Sequence, residues 1–125
     1  MKKIYDFAID LTLDVISGKW KPAILCHLGE HKTLRTGELR RMLPGISQRV
    51  LTKQLRELEE DGVVSRQVFG EVPPRVEYSL TEEGRSLREI LISMSDWGNR
   101  HAQRENQAGQ EIEIHNGSKS GFEKM

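Results

Sequence analysis

Five stretches of the chain place apolar residues at helical spacing, and one region between the last two alternates instead. Residues 4–15 carry apolar side chains three and four positions apart, which predicts an amphipathic helix. A nearly continuous apolar run follows Trp20, with Pro22 in its first turn, and predicts a mostly buried second helix that ends at Gly29. Residues 33–35 are long enough only for a small strand.

Two short helices joined by the sequence LPGI are predicted next. The first has Thr36 as its expected N-cap and Glu38 in its first turn, where a carboxylate interacts favourably with the positive end of the helix. The second covers residues 47–61. We expect Ser47 to be its N-cap and Gly62 to end it.

A strand-like pattern follows the second of these helices. Residues 63–69 and 75–80 predict two strands of a hairpin, and Thr81 is the expected N-cap of a last helix. From about residue 105 the chain is polar and without sustained periodicity, although residues 111–115 alternate enough to pair as a strand. We therefore predict one domain over residues 1–104 and a mobile tail over residues 105–125.

This order of elements predicts a mainly α fold with a small β-wing, a winged helix-turn-helix. In such folds the second helix of the pair enters the major groove of DNA, and only its first turns reach the base edges. Within those turns, we expect the side chains that contact bases to be Ser47, Gln48, Arg49 and Thr52, and those that contact phosphates to be Lys53 and Arg56. The predicted partner is double-stranded DNA.

The distribution of charge supports this function more than the net charge does. The chain has a formal net charge of zero. Residues 32–56, however, contain seven basic residues and one acidic residue, which leaves +6. Two alternatives stay open: the exposed face of helix 47–61 is only solvated, with intrahelical pairs such as Arg56 with Glu60, or the domain binds another protein without binding DNA.

The sequence also resembles a known family. The motifs GKW, PGIS, LTKQLRELE, DGVV and PPRVEYSLTEEG, together with a late tryptophan, are similar to those of HxlR-type winged-helix transcriptional regulators, and the resemblance runs from about residue 10 to Trp97. It implies a dimeric bacterial regulator that binds palindromic operators, with repression favoured over activation. It also implies a wing over residues 66–76. The expected wing and backbone contacts to DNA are Arg35, Thr36, Arg66 and Arg75, with Arg75 near the wing tip.

Apolar stripes on the first and last helices support the implied dimer. A chain of 125 residues would expose these stripes unless something covers them, and the family's dimer is formed by its N- and C-terminal helices. The candidate interface residues are Ile4, Phe7, Leu11, Leu87, Ile90, Leu91, Met94 and Trp97. Packing within one core is the simpler explanation for part of this set.

The remaining reactive side chains give weak signals. Several members of the resembled family sense oxidants through a cysteine near the N-terminus, where this chain has Phe7; its single cysteine, Cys26, lies in an apolar helix and is expected to be an inert small hydrophobe rather than a thiol sensor. His27 and His31 are four residues apart, but Gly29 lies between them and no second ligand pair is present, so we expect no metal site.

No enzyme is predicted, because the chain lacks a nucleophile elbow, a P-loop and a dinucleotide-binding fingerprint. We expect no cofactor and no membrane span, and the single cysteine fits the reducing cytoplasm. Trp20 and Trp97 could frame a pocket for a small effector, but core packing explains both residues equally well.

Overall fold

The computed structural model describes residues 1–116 and 121–122. In chain order its elements are α1 (Ala8–Ile16), α2 (Lys21–Glu30), β1 (Leu34–Arg35), α3 (Thr36–Met42), α4 (Gln48–Glu60), β2 (Val64–Phe69), β3 (Arg75–Leu80), α5 (Glu82–Arg85) and α6 (Arg88–Gln107). The three strands form one antiparallel sheet in the order β1-β3-β2. This is the predicted winged helix-turn-helix: mainly helical, with a hairpin directly after α4.

The first two helices differ in their bounds from the predicted ones. Helix α1 starts at Ala8 rather than near residue 4, because the Asp10 carboxylate accepts a hydrogen bond from the Phe7 backbone N–H (3.3 Å) and so fixes the N-terminus there. Helix α2 continues through Gly29 to Glu30, so the predicted end at Gly29 is wrong. A glycine within a helix weakens it by only about 1 kcal/mol, which tertiary packing can offset.

Helices α3 and α4 form the helix-turn-helix. Thr36 is the first residue of α3 rather than its N-cap; the cap is Arg35, whose backbone N–H donates to the Glu38 carboxylate (2.8 Å). Ser47 caps α4 as predicted, and its hydroxyl accepts a hydrogen bond from the Val50 N–H (3.1 Å). The turn between the helices passes through Gly45 at φ +91°, a backbone conformation that favours glycine.

Only three residues, Asp61, Gly62 and Val63, join the end of α4 to the start of the wing. Gly62 has φ +78°, and the N–H groups of Gly62 and Val63 donate to the carbonyls of Glu59 and Leu58, which completes a Schellman motif. Strand β2 then pairs with β3 from Val64 opposite Leu80 to Phe69 opposite Arg75. Both predicted strands are thereby confirmed.

The core lies where the helices meet the sheet. Its fully buried side chains come mainly from α2, α3 and α4: Ile24, Leu25, Leu39, Leu51, Leu55 and Leu58. On β3 the alternation is as expected, with Tyr78 and Leu80 buried. The apolar faces of α2 and α4 thus hold the helix-turn-helix against the sheet, and the polar face of α4 is left at the surface.

The predicted last helix is two helices. Thr81 caps α5 as predicted, accepting a hydrogen bond from the Gly84 N–H (3.0 Å). The regular α-helix ends at Arg85 and α6 begins at Arg88, although Ser86 and Leu87 between them keep right-handed backbone angles. The Ser86 hydroxyl bonds to the Glu83 carbonyl at this break, and serine commonly competes with helix hydrogen bonds in this way. Helix α6 ends at Gln107, three residues beyond the predicted domain boundary.

The residues after α6 include one that the sequence analysis missed. Residues 111–115 form no strand; instead the Asn106 side chain bonds to both the N–H and the carbonyl of Ile112 (2.7 and 3.0 Å). Phe122 is completely buried and belongs to the core. The mobility predicted for residues 105–125 stays a prediction, and residues 117–120 and 123–125 lie outside the described residues.

Candidate nucleic-acid interface

The first turns of α4 present a polar surface. Gln48, Arg49, Lys53 and Arg56 are exposed and Thr52 is half-buried, and together with two carboxylates nearer the C-terminus they line an open groove of about 660 Å³. The structure therefore brings together the side chains predicted to contact DNA. We call this set of five residues the α4 surface.

Two polar side chains of the α4 surface, and that of the neighbouring Ser47, already have partners. The Gln48 amide donates to the Thr52 hydroxyl (3.3 Å), which limits the rotamers of both side chains. The Ser47 hydroxyl accepts from Val50, so its oxygen is used in capping while its O–H remains a donor. Ser47 can therefore donate to an acceptor on DNA without giving up the cap.

A second cavity joins α4 to the wing. It measures about 400 Å³ and is lined by Thr36, Thr52 and Arg56 together with Glu59, Arg66, Val76 and Tyr78. Arg66 lies opposite Tyr78 in the β2–β3 pair, and Arg35 lies opposite Glu77 in the β1–β3 pair. The predicted backbone contacts Thr36 and Arg66 thus border the same cavity as Arg56, and Arg35 is exposed next to Thr36.

The acidic end of α4 is tied to α2. Glu57 forms an ion pair with Lys21 (Nζ–Oε1 3.3 Å), and Lys21 is only 7% exposed. Among the described residues Arg56 and Glu60 form no ion pair with each other, so the intrahelical pair considered above is absent. The sequence analysis missed Lys21; its only signal was a charged residue inside an otherwise buried helix.

Arg75 is held within the wing rather than extended from it. Its guanidinium lies over the Phe69 ring (4.0 Å to the centroid) and forms ion pairs with Glu71 (3.2 Å) and Glu77 (3.5 Å). Its Nε is buried without a hydrogen-bond partner. These two carboxylates neutralise the charge that the predicted DNA contact would use, so such a contact requires Arg75 to exchange partners.

Helices α1 and α6 leave a broad apolar surface uncovered. The exposed fraction is 81% for Ile4, 71% for Phe7 and 60% for Trp97, and Leu11, Ile90 and Met94 are also exposed. Leu91 is different: it is 4% exposed and lies in the core, with Leu87 packed against that core. These two residues stabilise the protomer and offer little surface to a second copy.

Comparison with known proteins identifies the family. A family model described as HxlR-like helix-turn-helix matches residues 15–106. The chain belongs to this HxlR-like family. The uncharacterized HTH-type transcriptional regulator YtcD of Bacillus subtilis strain 168 is 54% identical over 103 residues, which are 82% of this chain and 81% of YtcD.

Solved structures agree with the assignment. A structure of YtcD is 52% identical, has a TM-score of 0.74 and covers 78% of this chain and 98% of its own. The redox regulator HypR in its reduced form is 47% identical, has a TM-score of 0.75 and covers 82% of this chain and 99% of its own. This HxlR-like protein is a DNA-binding transcriptional regulator. Its family and relatives are regulators rather than enzymes.

The cysteine of this HxlR-like chain lies in an unreactive environment. Cys26 is half-buried on α2, and burial raises the pKa of its thiol to about 11. Since the thiolate is the reactive form, only about one thiol in ten thousand is ionised at pH 7. The structure thus supports the prediction that Cys26 is a small apolar residue, even though one relative is a redox regulator.

The two histidines near it, His27 and His31, are both half-buried. Burial lowers the pKa of His27, while the charge of Glu30 opposes that effect. In the part of the chain that the structure describes, no group of three or more His, Cys, Asp or Glu side chains is placed to hold a metal ion. No helix in that part is long and apolar enough to cross a bilayer.

Proposed function

We propose that two copies of this regulator bind an inverted-repeat operator with the start of α4 in the major groove, and that binding represses transcription in the cytoplasm. The observation that carries this proposal is the asymmetry of α4. Its N-terminal half exposes polar and basic side chains, whereas its C-terminal end exposes the carboxylates of Glu59 and Glu60. Carboxylates near phosphates would weaken binding, so the basic end is the end that enters the groove.

The five residues of the α4 surface have different roles in this proposal. Gln48, Arg49 and Thr52 select the sequence, because glutamine pairs with adenine and arginine with guanine through two hydrogen bonds each. Lys53 and Arg56 bind phosphates and position the helix. Ser47 also approaches the bases and offers its O–H as a donor.

Further phosphate contacts come from the wing side. Arg66 and Thr36 border the same cavity as Arg56, with Arg35 beside them, so that a DNA strand following α4 would pass these three residues. Arg75 contacts DNA in this proposal only after releasing Glu71 or Glu77.

The proposed dimer is formed by α1 and α6. Ile4 and Phe7, just before α1, and Trp97 on α6 are more than half exposed. Leu11 on α1 and Ile90 and Met94 on α6 are exposed as well, and large apolar areas of this kind are rarely left in water. A two-fold pair of these helices presents the same surface from each copy and places two α4 helices on one side of the DNA, as an inverted repeat requires.

The proposed division of roles is tested by salt dependence. Lys53→Ala should weaken binding to specific and random DNA alike and reduce the slope of log affinity against log salt by about 0.9, the value for one phosphate contact. Arg49→Ala should lose discrimination at one or two base pairs, at a cost of about 1–3 kcal/mol. Fluorescence anisotropy on an operator found by footprinting the promoter next to the gene measures both.

Lys19→Ala is the matched control, since that side chain is exposed between α1 and α2 and belongs to none of the proposed DNA or dimer contacts. It should leave both quantities unchanged. Identical behaviour of the Lys53 and Arg49 variants on specific and random DNA would contradict the assignment of roles.

A further inference from the structure

Phe122 fills a seat built by two glycines. Its completely buried ring packs on Gly29 of α2, where a Cβ would approach ring carbons to 2.9 Å. Gly121, at φ +84°, lies against the main chain of Cys26, and a Cβ there would come within 1.8 Å of the Cys26 carbonyl oxygen. A larger residue at either glycine would displace the ring or the chain that carries it. We call this site the Phe122 seat.

The seat also contains a charged donor. The Arg88 Nε, part-buried at the start of α6, donates to the Phe122 carbonyl oxygen (3.1 Å). The guanidinium already makes this hydrogen bond charge-assisted, and a carboxylate in place of the carbonyl would add the opposite charge on the acceptor side. The adjoining cavity is lined by His31, Lys32 and Arg85 against the single carboxylate of Glu30, so the surroundings also favour an anion.

The occupant of the seat and its walls have different origins in the chain. Gly29 and Arg88 lie within residues 15–106, which match the family model, whereas Gly121 and Phe122 lie beyond that match. Between Gln107 and Gly121 the described residues form no α-helix or strand. Among the described residues after Gln107, departure of Phe122 therefore breaks no α-helix or strand.

Two cavities border the two glycines of the Phe122 seat. A cavity of about 480 Å³ adjoins Gly29 on one side, and a second of about 340 Å³ is lined by Cys26, His27 and Gly121. A small ligand typically occupies a largely apolar pocket with a few polar groups that fix its orientation. The Phe122 seat offers this combination: an apolar floor for a ring and a guanidinium next to it.

We propose that the Phe122 seat is a binding site for a small aromatic carboxylate, which displaces Gly121 and Phe122. The ligand's ring takes the place of the Phe122 ring on Gly29, and its carboxylate accepts hydrogen bonds from Arg88. No covalent bond is made or broken in this exchange. Gly121 and Phe122 act as an intramolecular competitor for the site, so a ligand must bind more favourably than they do.

The probe for this site is 3-phenylpropionate, and the reporter is Cys26. The chain has one cysteine, and its side chain and Gly121 line the same cavity, so departure of Gly121 should expose the thiol. We expect 3-phenylpropionate to bind the full chain by calorimetry and to raise the rate of Cys26 modification by Ellman's reagent several-fold, in a saturable manner. Its amide should bind about tenfold more weakly, since it lacks the charge that Arg88 favours. Hexanoate, which has no ring, should not affect the rate.

Two variants complete the test. Phe122→Ala should raise the basal rate, bind the probe more tightly and show no further ligand effect on the rate. Arg88→Gln should lose the preference for the carboxylate over the amide. Absence of binding to the full chain would overturn the proposal. This holds even if the probe binds Phe122→Ala, because it would then only fill the cavity that the substitution creates. Binding without a change in the Cys26 rate would overturn it as well. No DNA is present in these assays, so they are independent of the proposed operator binding.

Discussion

The ion pair between Lys21 and Glu57 predicts an unequal response to removing either partner. The side chain of Lys21 is 9% exposed and that of Glu57 is 34% exposed. Removing the carboxylate with Glu57→Gln leaves a buried ammonium without a counter-charge. Removing the ammonium with Lys21→Met leaves a carboxylate that water can reach, and the methionine fills the apolar volume of the lysine stem.

The magnitudes follow from this difference in exposure. Breaking a fully buried pair costs about 3–5 kcal/mol, but here the carboxylate is one-third exposed and a glutamine still accepts a hydrogen bond. We therefore expect Glu57→Gln to lower the free energy of unfolding by about 2 kcal/mol. Lys21→Met should lower it by at most about 1 kcal/mol, since well-packed apolar replacements of buried ions are often nearly neutral. The double variant should resemble Lys21→Met alone.

Urea unfolding at a fixed protein concentration measures these differences, provided that the slope m is unchanged among the variants. Fixing the concentration matters, because a dimer's apparent stability depends on it. If Lys21→Met costs as much as Glu57→Gln, or if the two costs add to within about 0.5 kcal/mol in the double variant, the pair is not coupled in the way described.

Three further predictions concern other parts of the molecule. Because burial raises the pKa of Cys26 to about 11, the rate of its alkylation by iodoacetamide should rise about tenfold per pH unit between pH 7 and 10. Cys26→Ser should leave DNA affinity unchanged with or without the oxidant diamide. Diamide-dependent release from DNA that Cys26→Ser abolishes would contradict this. Gly84→Ala should lower the free energy of unfolding by about 1–3 kcal/mol, since the added Cβ would lie 2.0 Å from the Val63 carbonyl oxygen. Gly37→Ala should not, because only the tip of the Arg41 side chain lies near, at 3.8 Å. Equal shifts of the thermal melting temperature in the two variants would refute this. Trp97→Ala should shift the chain toward monomer in size-exclusion chromatography with light scattering, and an unchanged mass at low protein concentration would exclude Trp97 from the interface.

Features set by neighbouring residues were predictable from the sequence. The Ser47 cap and the Gly62 stop depend on contacts within five residues, and both are found as expected. The cap of α3 is shifted by one residue, because Glu38 bonds to the backbone of Arg35 rather than following a Thr36 cap. Such one-residue shifts are the usual limit of local patterns.

Features set by distant residues were not predictable. Nothing in the pattern around Gly29 indicates that an aromatic ring from the C-terminal residues will pack on it, so the helix was expected to stop there. The candidate site shows the same limit. The α4 surface follows from helical spacing alone, whereas the Lys21–Glu57 pair and the carboxylates around Arg75 depend on how elements far apart in sequence meet.

The three-residue junction between α4 and the wing affects how the two elements can move relative to each other. The Thr81 hydroxyl donates to the Gly62 carbonyl (2.6 Å) and the Thr81 N–H donates to the Val63 carbonyl (3.1 Å), so both strands of the wing are fastened where α4 ends. These hydrogen bonds restrict movement of the wing relative to α4, so the two elements approach DNA as one unit. In the proposed docking, a DNA site whose grooves do not match the spacing of α4 and the wing must itself deform. Base pairs that no side chain touches would thereby influence the choice of operator through their stiffness.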